Sequence, residues 1–498
     1  MAKSWANLSS DPLKWAGCGL NSPCNPPPQI LSQHMDSPSY IQRFFTCISC
    51  SSDAQIGYQV TLAVPVAYTK GFTGRAFLME TDQVVPNFRV ALSVEAVDKS
   101  YSCSLDVFLG DVRVWSSGHV SRFYTMHRCA LELTLDGDLR LKGQNDKVGW
   151  RTGTFGQGVK RLNLLKTGNL ILVDALDIIK WQSFNFPTDV MVWGQRLNVE
   201  TRLTSFPKNS NSFYSFEIQR DKIALYLNSG KWKYSYWEFK PSKNRNITFV
   251  GLATKALEIY NDEGQKIAQI RSRGPEPLRF LALGNKTGNL GLYHFSPGTG
   301  KFEASFQALN ATCDLPLACK PYGICTFSNA CSCIQLITRG EGLSSDCSKG
   351  IPEGFCGRHR VEMLHLQGVS SILRATLTKV NITSKEVCAD LCIDDCTCVA
   401  ALHTSGQDCG VIFQECTLYG EVRGVKQVER GSGSSYMVKV LKGSHGGHGK
   451  SSGLKKWVLI VVGVADGLVI ILVLGGVGYY VIHKRRNYSS ETGNTSQS

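Results

Sequence analysis

A chain of 498 residues, 43% apolar and 19% charged, is too long for one ordinary hydrophobic core, so several domains are expected. Its formal charge of +14 fits contact with polyanions such as acidic polysaccharide or phospholipid headgroups. No run of Lys and Arg is interleaved with aromatics, which argues against a nucleic-acid partner. The 48 glycines and short alternating runs of Val, Leu and Thr favour β-rich domains with many turns.

Residues 1–55 form an N-terminal segment without a recognisable signal peptide, because "MAKSWANLSSDPLKWAGCGLNSPC" lacks an apolar stretch of useful length. Either the true start lies elsewhere, which is the preferred expectation, or a later span also targets the chain. The roles of Cys18, Cys24, Cys47 and Cys50 stay open, although the Cys47-x2-Cys50 pair reads better as part of a disulfide-bonded leader than as a redox or metal site.

Residues 56–198 read as many short strands. In "LELTLDGDLRLKG" (131–143) and "LNLLKTGNLILVD" (162–174), apolar residues alternate on both sides of Asp-Gly or Thr-Gly. That is a hairpin signature, in which Gly supplies the positive φ and Asn or Asp tolerates it. The regular spacing of the copies points to internal repetition. A related pattern fills 199–308, with "KIALYLNSGKWKYSYW" and a third hexapeptide, "TGNLGL", at 287–292.

The 19 cysteines are unevenly placed: thirteen lie between Cys313 and Cys416, and none between Cys129 and Cys313. The spacing of Cys313, Cys319, Cys325, Cys331, Cys333 and Cys347 has no paired CxxC knuckles, so disulfides are favoured over zinc. "TSKE", Thr383 to Glu386, reads as a capping box that starts a helix carrying Cys388 and Cys392 on one face. Sequons at Asn246, Asn285, Asn310 and Asn381 agree with an oxidising lumen. The roles of Cys103, Cys129 and Cys416 are not readable from sequence.

Residues 442–456 are a Gly- and Ser-rich stalk. Trp457 to Ile482 carries a single charged side chain, Asp466, and at about 1.5 Å per residue spans the roughly 30 Å hydrocarbon core of a lipid bilayer. The disulfide and sequon block places its N-terminal side outside, predicting a single-pass type I protein of the plasma membrane with a short cytosolic tail, 483–498. Gly463 and Gly467 give a GxxxG contact spacing, and Asp466 between them is expected to face a partner helix or to be protonated.

"WQSFNFPTDVMVWGQRL" (181–197), "CDLPLACKPYGICTFSNACSC" (313–333) and "CADLCIDDCTCVAALHTSGQDCGV" (388–411) resemble the bulb-type (G-type) lectin, EGF-like and PAN/apple modules of plant S-domain receptor-like kinases and S-locus glycoproteins. The resemblance implies a mainly β chain: tandem bulb-lectin β-prism domains at 56–198 and 199–308, a small disulfide-rich EGF-like module at 309–349, an α+β PAN/apple domain at 350–441 and one transmembrane helix. It also implies six PAN-module cysteines, Cys356, Cys388, Cys392, Cys396, Cys398 and Cys409, with Cys416 as a seventh.

The family's sugar motif, Q-x-D-x-N-x-V-x-Y, falls first on Thr134, Asp136, Asp138, Arg140 and Lys142, where the Asp alone survives. It falls next on Leu165, Thr167, Asn169, Ile171 and Val173, where the Asn survives. Each lost buried hydrogen-bond partner costs about 1–3 kcal/mol, so the mannose site is expected to be degenerate. The full-length family ends in a cytosolic kinase; here no Gly-rich loop, catalytic Asp loop or DFG follows the span, and no HExxH, nucleophile elbow or cofactor motif precedes it. The expected function is a kinase-less receptor-like glycoprotein, not an enzyme, that binds an extracellular ligand or a partner receptor kinase. The alternative is a wall-facing tether holding acidic polysaccharide or another glycan.

Overall fold

The computed structural model describes residues 52–81, 86–205, 212–241, 246–334, 360–375, 384–408, 411–429 and 433–442, the strands Phe45–Cys47 and Lys379–Asn381, and a few isolated positions including Cys347. The expected membrane span, with Gly463, Asp466 and Gly467, lies almost entirely outside the described residues, as do Cys356 and Cys409. Among the described residues no helix is long and apolar enough to cross a membrane.

Three sheets enclose the first core. Thr73–Glu80, Phe88–Val97, Ser100–Leu109 and Val112–Ser116 follow one another in one sheet, with Phe45–Cys47 parallel at its edge. The second orders Val148–Arg151, Leu139–Lys142, Arg128–Leu133 and Gln59–Ala63, and the third Ile179–Gln182, Leu170–Asp174, Val159–Leu164 and Asp53–Gln55. Alternation drives the arrangement: Leu139 and Leu141 are fully buried while Arg140 and Lys142 are not. Leu92, Leu105, Leu131, Leu139, Leu162 and Leu172 meet in one cluster fed by all three sheets, which makes the unit a β-prism. Cys103, buried in the first sheet, is disulfide-bonded to Cys129 in the second.

Sheet membership changes between Gln182 and Val190, ahead of residue 198 where the sequence places the boundary. Val190–Val192 joins Leu278–Leu283, Leu290–Ser296 and Lys301–Gln307; Arg196–Asn198 joins Phe249–Leu252, Ala256–Tyr260 and Lys266–Arg271. The third sheet of this second prism runs Arg202–Thr204, Ser212–Ile218, Ile223–Ser229, Trp232–Phe239 and then Arg374–Ala375. At the junction Trp115 Nε1 of the first prism donates to the carbonyl of Phe186 on the connecting segment (2.9 Å), and His119 Nε2 lies against the Thr204 carbonyl of the second prism (2.8 Å).

The remaining modules are not beads on a string. Gly323–Cys325 pairs in parallel with Val425–Gln427, so residues 309–349, the EGF-like segment expected from the sequence, and residues 350–441, the expected PAN segment, share a sheet. Arg374–Ala375, also from the PAN segment, extends a sheet of the second prism. Phe216 and Leu225 of the prism, Tyr322 of the EGF-like segment and Tyr419 and Tyr436 of the PAN segment therefore belong to one apolar core. The PAN helix runs Lys385–Asp394, and its N-cap is Ser384, whose side chain accepts from the Val387 N–H. The cap thus sits one residue after the Thr383 predicted from the "TSKE" pattern.

Candidate functional site

The two motif turns have the same geometry. In the first, the Thr134 N–H donates to the Asp138 carbonyl (3.0 Å) and the Gly137 N–H to the Thr134 carbonyl (2.9 Å). In the second, Leu165 and Asn169 make the equivalent bond at 3.0 Å, and Gly168 and Leu165 at 2.9 Å. Gly137 and Gly168 lie at φ +83° and +82°, the left-handed region. Each glycine is also fixed by crowding, since a Cβ would meet the Val159 side chain at 2.8 Å or the Phe88 ring at 2.4 Å. Asn261 and Gln265 form a third such turn, with Gly264 at φ +72°. The Gly in "NDEGQ" was the available signal for it.

The side chains on these turns serve the fold. Asp138, 1% exposed, accepts from the Gly153 N–H (2.9 Å), the Thr154 N–H (3.2 Å) and the Thr152 hydroxyl (3.1 Å), and pairs with Arg140 Nε at 3.0 Å. Asn169, 5% exposed, accepts from the Ser183 hydroxyl (3.1 Å) and the Phe184 N–H (3.2 Å) and donates to Gln182 Oε1 (2.8 Å). Asn289 in the "TGNLGL" copy accepts from the Leu309 N–H (3.0 Å) and donates to its carbonyl (2.7 Å). In each copy the residue after the glycine holds the incoming chain of a later segment. Sequence reading missed these partners because Thr152, Thr154 and Ser183 lie outside the hexapeptides.

The other motif positions are filled in a comparable way. The Thr134 hydroxyl donates to the Asp138 carbonyl and accepts from its N–H. Lys142 is ion-paired with Glu132. Ile171 and Val173 are buried, Leu165 and Thr167 are half-buried, and Asp136 is exposed. In the first copy the apolar and phenolic places of the sugar motif thus carry cations tied to carboxylates. In the second they carry aliphatic groups with no polar atom to offer.

Burial also shifts titratable groups of this prism away from the motif turns. Burial holds the Asp106 carboxyl above its ordinary range, with Arg113 3.7 Å away opposing the effect. Burial lowers His119, against the pull of Asp189.

The disulfides pair Cys313 with Cys325, Cys319 with Cys331, and Cys333 with Cys347. In the PAN segment Cys388 pairs with Cys416 on the strand Val411–Tyr419, and Cys392 with Cys398 just past the helix. Cys396 is also disulfide-bonded. Of the sequon asparagines, Asn246, Asn285 and Asn310 are exposed, and Asn381 sits on the strand Lys379–Asn381.

Residues 114–213 match the D-mannose binding lectin family. The chain is 25% identical over 361 residues to a G-type lectin S-receptor-like serine/threonine-protein kinase of Arabidopsis thaliana, covering 68% of this chain and 42% of that protein. It is 25% identical over 299 residues to a PAN domain-containing protein of the same plant, covering 55% of this chain and 58% of that one. The chain thus spans about half the length of these relatives. Among solved structures, a monomeric mannose-binding lectin from Gastrodia elata shares 18% identity at a TM-score of 0.18, over 27% of this chain and 96% of that one.

Proposed function

Because the chain belongs to the plant bulb-type lectin S-domain family, we propose that it is a receptor-like glycoprotein of the cell surface, anchored by the 457–482 span and recognising its ligand through surfaces other than the mannose motif. The observation that carries this reading is the commitment of Asp138 and Asn169 to intramolecular bonds. A sugar hydroxyl approaching either group would have to displace partners whose loss costs about 1–3 kcal/mol each. The second prism, EGF-like and PAN segments instead share one apolar core and are disulfide-bonded, a rigid frame on which a protein partner could dock. Signalling would then pass through a partner receptor kinase. Recognition, not catalysis, is the proposed role throughout.

The test has two arms on the full chain. A glycan array and mannose-agarose capture should show no specific mannose retention; specific retention competed by free mannose would overturn the degenerate-site reading. Proximity labelling in native tissue should recover a membrane kinase. A second reading, a tether for acidic polysaccharide, is favoured by the formal charge of +14. Binding of such a polymer should fall steeply as ionic strength rises, whereas a disulfide-framed protein interface should be less sensitive.

A further inference from the structure

The second prism is open at one end. Trp232–Phe239, Lys266–Arg271 and Lys301–Gln307 each lie last among that prism's own strands in their respective sheets, and a cavity of about 570 Å3 lies where the three meet. That volume falls within the roughly 300–1,000 Å3 of small-ligand sites. Trp237 and Phe239 line it from the first strand, Arg273 from just beyond the second, and Ser305 and Gln307 from the third. Ser305 is already committed, its hydroxyl donating to the Leu292 carbonyl at 3.2 Å. Arg273 and Gln307 are exposed. Half-buried aromatic faces beside exposed planar polar groups form the chemistry that recognises a sugar ring: apolar C–H faces against the aromatics, hydroxyls toward guanidinium and amide.

The remaining polar lining residue is Asn310, which opens the sequon Asn310-Ala311-Thr312. It is exposed, and among the described residues its amide has no protein partner. Asn246 and Asn285 are exposed too, but neither lines this cavity, and the Asn285 amide donates to Asp189 at 2.9 Å. We propose that Asn310 carries an N-linked glycan whose first sugars fold back into this cavity, closing the open end of the prism against Trp237 and Phe239. Attachment is N-glycosylation in the secretory lumen. The Asn310 Nδ2 bonds to C1 of the first sugar and gives up one proton, while the C1–O bond to a lipid pyrophosphate donor breaks and the pyrophosphate leaves with the electron pair. The proposal rests on the cell-surface reading above, because a chain that never enters that lumen would not meet the donor.

The full chain expressed in plant cells tests it. Peptide mass mapping should find hexose and N-acetylhexosamine on the Asn310 peptide. Thr312→Ala, which removes the sequon and leaves Asn310, should lower the thermal midpoint by about 2–4 °C, the shift expected for roughly 1 kcal/mol in a unit of this size. The same substitution in a Trp237→Ala background should change the midpoint by much less, because the ring against which the sugar packs is gone. Arg273→Ala and Gln307→Ala repeat the cycle should Trp237→Ala fail to fold. Trimming the glycan to its first N-acetylglucosamine should preserve most of the stabilisation. An occupied Asn310 with additive effects would mean the glycan projects into solvent, and the proposal would be wrong. Occupancy at Asn246 and Asn285 with Asn310 bare would defeat the proposal and leave the cell-surface reading standing. Bare asparagines at every sequon would defeat both.

Discussion

Tyr234 of the second prism and Tyr419 of the PAN segment stack with ring centroids 5.8 Å apart and an interplanar angle of 29°. The Tyr234 hydroxyl accepts the Gly420 N–H at 2.8 Å, and the Tyr419 hydroxyl donates to the Leu373 carbonyl at 2.8 Å. Trp232 stacks beside Tyr234, leaving so little room that a Cβ on Gly420 would meet the indole at 1.9 Å. Both phenols are held well above their ordinary range, chiefly by burial, so they act as neutral hydrogen-bonding rings. Backbone pairing continues across the same seam, with Tyr234 opposite Ala375.

This seam should make the second prism and the PAN segment unfold as one cooperative unit. Tyr234→Ala should cost about 3–5 kcal/mol through the lost ring and cavity. Tyr234→Phe should cost about 1–3 kcal/mol by leaving the Gly420 N–H without its partner. Gly420→Ala should cost about 1–3 kcal/mol by overpacking against Trp232. Calorimetry should show a shared transition for the wild type that splits in Tyr234→Ala; a split already present in the wild type would disprove the coupling.

A second expectation concerns the motif turns. Asn169→Ala removes the acceptor of the Ser183 hydroxyl and the Phe184 N–H and the donor to Gln182. The loss should be about 2–4 kcal/mol in urea unfolding, from buried polar groups left unpaired. Mannose retention should be equally absent before and after the change. A variant of native stability that loses a measurable affinity for mannose would show that Asn169 still belongs to a sugar site.

The turns were legible because their signal is local: Gly at fixed offsets and alternating Leu are written within six residues. What Asp138 and Asn169 do was not legible, because their partners, Thr154 and Phe184, lie fifteen or so residues downstream in segments with no pattern of their own. Counting the surviving motif residues therefore pointed to Asp136, which is exposed, when the buried carboxylate that organises the turn is Asp138. The same limit applies to the modules. Three clusters of cysteine and aromatic pattern read as separate domains, yet two-residue pairings such as Tyr234 with Ala375 and Ile324 with Val425 join them. Segments that short carry no periodicity. The capping pattern at Thr383 to Glu386 was offset by one because Ser384, equally able to cap, comes next.

Cys416 was left over by counting, and its pairing gives a direct check. Its bond to Cys388 closes a loop with a sequence separation of 28, worth about 3–4 kcal/mol in the chain-entropy account. Cys416→Ala should lower the stability of the joint prism–PAN unit by roughly that amount. It should also free the Cys388 thiol to alkylating reagent under denaturing, non-reducing conditions. A Cys388 that remains protected in this variant would mean it pairs elsewhere.

The junction between the prisms should respond to acid through His119. The ring is 4% exposed, and because the Thr204 carbonyl can only accept, Nε2 carries the proton and donates to it. Burial is the largest influence and lowers the His119 pKa; Asp189 and the Thr204 bond pull it back up, and Arg113 adds to the lowering. A depressed folded value means that, below the ordinary value near 6.5, the unfolded chain takes up a proton that the folded chain resists. The contribution of this group is therefore fully present above about pH 6.5 and is lost as the pH falls from there toward the folded value. Asp106 works in the opposite sense, since its raised carboxyl favours the folded state at low pH and loses that advantage as pH rises above its unfolded value. Comparing the wild type with His119→Gln, which keeps an N–H for Thr204 but does not titrate, cancels the Asp106 contribution at every pH. The wild type should lose more stability than His119→Gln between pH 7 and pH 5 in chemical denaturation. Parallel stability–pH curves for the two proteins would show that the buried imidazole is not what titrates at this junction.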